Sequence, residues 1–176
     1  ATTRKKERAL RNAFANATAS GQAQAALNLA GFLVQQERHE AALFVIEAAI
    51  ERQRTTALRI ARASLLRDIA RCDLALSELR GVVPEVGVDK VSPGTLFDLA
   101  QIEWVNGDAA AAAETLRRMQ HQYAGDAWMQ NHAAELEEWY RRITTTHARQ
   151  DSLANGEMRD VFALLRAAPN ISGRLK

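Results

Sequence analysis

Two runs decide the fold: Ala26-Leu27-Asn28-Leu29-Ala30-Gly31-Phe32-Leu33, and after a short polar break, Ala42-Leu43-Phe44-Val45-Ile46-Glu47-Ala48-Ala49. In the first, Ala26, Leu29, Ala30 and Leu33 are spaced i, i+3, i+4, i+7; in the second, Ala42, Ile46 and Ala49 repeat that period. Such spacing puts apolar side chains on one face of an amphipathic helix. The same pattern returns at Leu96, Leu99, Ala100, Glu103 and Ala112, Leu116, Met119, at a constant offset of 70 residues (Ala26 to Leu96, Ala42 to Ala112). Half of that offset is close to the ~34 residues of a helix–turn–helix repeat. A further helix pair over residues 57–80 supplies the unit between them, and its fit calls for a turn shorter by about three residues.

Around these units the sequence reads as helix throughout. The chain has 176 residues, 47% hydrophobic and 25% charged, with 3 prolines and 9 glycines. Ala, Leu, Arg, Glu and Gln favour helix, and breakers are few. The best β-branched pair, Val82-Val83, runs straight into Pro84. A first helix is expected from Thr2-Thr3 to about Ala19, stopped by Ser20-Gly21. Helices from Gln22 to Gln35 and from about His39 follow, and Thr55-Thr56 ends the second of these. A shorter helix over Asp73 to Arg80 gives way to a loop from Gly81 to Ser92 anchored by valines. Ser92-Pro93 restarts helix as N-cap and first turn. Asn106-Gly107-Asp108 makes the next turn, and a helix reaches about Gln122. A long helix from Asp126 to about Arg149 and a last one from Ser152 to Ala168 complete the reading.

These residues resemble the tetratricopeptide repeat. Leu29-Ala30 and Leu99-Ala100 take its L-G place, Leu33 its tyrosine place, and Ala42 with Ile46 and Ala112 with Leu116 its A-x3-F place. The resemblance implies an all-α, right-handed superhelix of antiparallel helix pairs, with about three repeats plus flanking helices. The organisation expected is an N-terminal helix over 1–21, repeats over 22–123, capping helices over 124–168 and a flexible tail over 169–176. In such stacks the first helix of each pair lines a concave binding side. Here that implies groove positions near Gln24, Leu27, Gly31 and Val34, then Phe97, Gln101 and Trp104, with Arg59, Arg62 and Arg67 between. Arg59, Arg62, Phe97, Gln101 and Trp104 are the expected partner-binding residues. Arginine and aromatic groups together suit an acidic, partly apolar protein or peptide segment.

Other chemistries find little support. His39, His121, His132 and His147 show no His-x3-His or Glu-x2-His pair, so no metal site is expected. Glu135, Glu137 and Glu138 read as a solvated helix face. No phosphate-cradling glycine loop or nucleophile–base signature is present, so neither cofactor nor catalytic residue is expected. A formal net charge of +2 argues against nucleic acid, although Arg4-Lys5-Lys6-Glu7-Arg8 with Arg11 is locally basic. Cys72 stands alone, so no internal disulfide forms. No apolar run approaches the ~18 residues of a membrane span, which leaves cytoplasm and periplasm both open. Trp128, Leu136, Trp139, Tyr140 and Ile143 share a face of the long helix, as a helix covering the end of the stack requires. The chain therefore reads as a non-enzymatic protein–protein interaction scaffold, a module of a larger bacterial assembly, secretion or envelope protein. The alternative is a helical regulatory domain of a ligand- or nucleic-acid-responsive regulator.

Overall fold

Three turns of identical build organise the molecule. The computed structural model describes the backbone of residues 2–167 and the side chains of residues 2–151 other than Val88. The expected tail over 169–176 lies outside the described residues. Helix α1 (Thr2–Ala15) precedes three helix pairs: α2 (Ala19–Gln35) with α3 (His39–Arg52), α4 (Thr56–Asp68) with α5 (Cys72–Val86), and α6 (Pro93–Val105) with α7 (Ala109–Gln122). A short α8 (Ala127–Asn131) and a long α9 (Ala133–Ala167) follow. Within each pair the middle residue of the turn has positive φ: Glu37 at 58°, Ala70 at 62° and Gly107 at 86°. The residue after it returns its N–H to the last turn of the first helix, Arg38 to Leu33, Arg71 to Leu66 and Asp108 to Glu103, at 2.7–2.9 Å. This satisfies carbonyls that a helix end leaves free. The stack winds as a right-handed, all-α superhelix.

The middle turn is thus no shorter than the others. Units one and two are offset by 33 residues (Ala42 to Ala75), units two and three by 37 (Ala75 to Ala112). The extra residues fall after the middle pair, where α5 runs on to Val86 and a 3-10 turn spans Val88–Lys90. The stretch expected as loop from Gly81 is therefore largely helix. Pro84 sits in its last turn, where it forgoes the bond that its N–H would give to Arg80, and Val82 and Val83 bury themselves in the core. Two other boundaries move. Ser20-Gly21 lies inside the first turn of α2, because Asn16 to Thr18 makes the break. The helix expected from Asp126 is interrupted at His132, whose Nδ1 lies 2.8 Å from the Trp128 carbonyl and whose ring stacks on the Trp128 indole at 4.0 Å. Beyond it α9 runs unbroken past Asn155-Gly156.

Equivalent positions do equivalent work. Ala42, Ala75 and Ala112, one per second helix, are all 0% exposed, so their small size sets how closely each pair approaches. Replacing Ala42 or Ala112 with Leu should cost about 1–3 kcal/mol through overpacking. Chemical denaturation that leaves either variant as stable as the parent would show that the helices do not meet there. Facing them in the first and third units lie Ala26, Leu29, Ala30 and Leu33, and Leu96, Leu99 and Ala100, all buried. In the middle unit the places of Ala26 and Leu29 fall to Arg59 and Arg62. Here α4 is shared between two cores: Leu58 and Leu65 pack with the first unit, Ala63 and Leu66 with the third.

Candidate functional site

The first helices of the three pairs share an open stripe. On α2 it is Gln24, Asn28, Gly31 and Gln35, on α4 Ala57, Ala61, Ser64 and Asp68, and on α6 Gly94, Asp98, Gln101 and Val105. Each set is spaced i, i+4, i+7, i+11, one face of a helix. In a curved stack of helix pairs the first helices are the ones that line the concave side. Between α2 and α4 lies a cleft of about 230 Å³, walled by Leu27, Ala30, Val34, Ala61 and Leu65 with Ser64 and Asp68 at its rim. A second cleft of about 390 Å³ separates α1 from α2 and shares Leu27 and Gly31 with the first. A Cβ built on Gly31 would have no atom within 4 Å, so any side chain placed there would project into this space.

The next junction along the stack is closed by polar groups. Arg67 pairs with Asp98 and, at 3.2 Å, with Asp68. Ser64 Oγ donates to Asp98 at 2.9 Å, and Gln101 Oε1 accepts from Arg67 Nη1 at 3.3 Å. The junction after that is filled by rings. Phe97 meets Trp128 and Trp139 edge-on at 5.9 and 6.4 Å, Trp104 meets Trp139 at 5.4 Å, and the Trp104 indole N–H donates to Thr146 at 3.1 Å. Only the α2–α4 junction, of these three, keeps apolar space unfilled.

This geometry disperses the five residues expected to bind a partner. Arg59 points into its own helix pair, where it holds Glu78 and Glu85, and only 8% of its side chain is exposed. Arg62 bonds Glu78 at 2.9 Å and Glu47 at 3.3 Å. Phe97 is 5% exposed and Trp104 is half-buried, both turned from the groove toward α9. Gln101 alone opens on the concave face. The reason is angular. Phe97 and Trp104 are equivalent to Leu27 and Val34, which flank the open stripe on the side of the next first helix. The later tryptophans at 128 and 139 were the available signal that two aromatic groups on α6 would be covered.

One buried acid forms no ion pair with any described residue, its nearest stabilising bond being to a hydroxyl. Glu103, 6% exposed, stands where Leu33 and Leu66 stand in the other units, and its Oε2 accepts from Thr115 Oγ1 at 2.8 Å. Burial raises its pKa, with the Thr115 hydrogen bond working against the shift. A carboxyl whose folded pKa is raised contributes stability below its unfolded pKa, near 4.3, and loses it as pH rises through the folded value. Glu103→Gln should therefore be more stable than the parent at pH 7, with the gap closing as pH falls toward 4. A gap independent of pH in paired denaturation curves would show that ionisation at Glu103 is not the cause. Among the described residues no group of three His, Cys, Asp or Glu could share a metal ion, and no helix is long and apolar enough to cross a membrane.

No protein-family model matches the chain, and no curated protein matches it. Solved structures do. One is the type III secretion chaperone SycD of Yersinia enterocolitica in complex with a peptide of the translocator YopD, at 16% identity and a TM-score of 0.60, covering 70% of this chain and 93% of that one. The fold is similar to that of SycD. Another structure of the translocator chaperone SycD superposes with a TM-score of 0.64 at 16% identity, over 76% of this chain and 90% of that one. A third, described as an alternative dimer, gives 0.61 at 16% identity, over 71% and 93%. At this identity the likeness is one of fold.

Proposed function

We propose that this chain is a non-enzymatic binding module that holds an extended segment of another protein on its concave face, as part of a bacterial secretion assembly. The observation that carries the reading is the unfilled apolar cleft between α2 and α4, set in a stripe of short polar side chains. An apolar side chain of the bound segment enters the cleft, while Gln24, Asn28, Gln35 and Gln101 offer amides to its backbone. The similarity to SycD, which is solved with a translocator peptide, supports a peptide ligand. The arginines first expected to draw in an acidic partner are engaged internally, so apolar contact carries the affinity at this cleft.

Gly31 provides the test. Trp at this position plugs both clefts, and it removes a mid-helix glycine that costs roughly 0.5–1 kcal/mol. Peptides selected on the parent from a random phage-displayed library should bind Gly31→Trp at least about tenfold more weakly, a loss of about 1.4 kcal/mol. The variant's melting temperature should match or exceed the parent's. Peptides that bind both proteins equally would place the site elsewhere.

A further inference from the structure

An open stripe of the same spacing lies on α9, beside the rings that join it to α6. On α9, Leu136 and Ile143 are buried, while Trp139 and Thr146 meet α6. Beside them Glu138, Arg142, Thr145 and Arg149 repeat the i, i+4, i+7, i+11 spacing of the open stripes on the earlier first helices. With Arg141 and Thr146 they line an open depression of about 350 Å³. Arg142 is set in place by rings, its guanidinium 5.0 Å from the Trp139 centroid and 5.9 Å from that of Trp104. Arg141 and Arg142 both bond the one carboxylate of Glu138, and Arg149 forms no ion pair with any described residue. Next to Trp104, Val105 is 55% exposed.

Three arginines against one glutamate make this end of the face basic. Its middle has the opposite sign, because Asp68 and Asp98 share the single Arg67. We infer that the α9 stripe is a subsite for a carboxylate side chain, Asp or Glu, carried by the bound segment on the α9 side of its apolar anchor. This rests on the concave face being the binding face. Guanidinium groups take carboxylates in paired, charge-assisted hydrogen bonds. Arg142 already rests against the Trp139 and Trp104 rings, which reduces the side-chain freedom lost on binding. Glu138 is the internal carboxylate that the ligand's own would displace. The polarity of the face then fixes the direction in which a segment lies across it.

The probes are fluorescein-labelled dodecapeptides, each a glycine–serine chain with two leucines followed by three glutamates or three glutamines, made in both chain orders. In one order the parent should prefer the glutamate probe by about tenfold at low salt, and the preference should shrink as salt screens it. Arg149→Glu, an exposed change that leaves the core intact, should abolish the preference. Glu138→Gln should enlarge it, because the arginines lose their internal partner; a structural role alone would not produce opposite signs. Equal binding of the two probes by the parent, or a preference that survives Arg149→Glu, overturns the subsite. If the preference is absent while Gly31→Trp still weakens the glutamine probe, the subsite fails and the concave reading stands. If Gly31→Trp leaves the affinity of both probes unchanged and the preference is lost in Arg149→Glu, the subsite stands and the α2–α4 cleft does not bind. Failure of every probe to bind the parent overturns both.

Discussion

Arg59→Ala should lower the unfolding free energy by about 3–5 kcal/mol, the usual cost of removing one member of a buried ion pair. Arg59 lies where the other units carry Ala26 and Leu96, and it is bonded to Glu78 and Glu85. Without it Glu78, whose side chain is 10% exposed, keeps only Arg62. The loss comes from the desolvated carboxylate left behind more than from the missing attraction. A triple variant distinguishes the two. Arg59→Leu, Arg62→Leu and Glu78→Val together give these places the residues of Leu96, Leu29 and Val45 in the other units, and that protein should be as stable as the parent or more so. Urea denaturation of the three proteins is the measurement. A triple variant as unstable as Arg59→Ala would mean that the ion network has no apolar equivalent here. Gly81 belongs to the same network. A Cβ at that position would come within 2.9 Å of Arg59 Nη2, a close approach that glycine permits.

Truncation after Tyr123 should give an insoluble or self-associating product. The deletion removes α8 and α9 and uncovers Phe97, Leu116 and Met119, all 5% exposed or less in the full chain. A repeat stack with an apolar end lacks the polar outer cover that keeps such proteins in solution. Size-exclusion chromatography and dye binding to exposed apolar surface report the outcome. A soluble, folded monomer of residues 1–123 would refute the capping role. In the full chain Ile143→Ala, at a position 0% exposed, should cost about 2–5 kcal/mol if the cover is packed as a core is. A loss well below that range would make α9 an accessory to the stack.

The comparison of units shows where sequence reading is sound and where it stops. Periodicity identified helices and their pairing because it reports directly which face of each helix is apolar; Ala26 to Ala49 carry that signal undiluted, and Leu96 to Met119 carry it with Glu103 and Thr115 as buried polar exceptions. It faltered in the middle unit for a physical reason. Arg59, Arg62 and Glu78 are charged, so by composition they read as surface. Mutual neutralisation lets them occupy core positions instead. Arginines that looked free to greet a partner are consumed within the fold.

What the amino-acid order determined by itself was the all-α class, the unit length and the close-contact alanines, since each depends on residues near one another in the chain. Only the tertiary structure decided which way the flanking positions turn. Phe97, Gln101 and Trp104 lie within two turns of one helix, yet Gln101 faces the groove while the rings face α9. That outcome depends on where a helix from much later in the chain packs, since large aromatic surfaces are buried wherever a partner face exists. The open cleft likewise exists because α4 sets small Ala61 and Ser64 opposite Leu27 and Val34, a juxtaposition between separate units that no local pattern encodes.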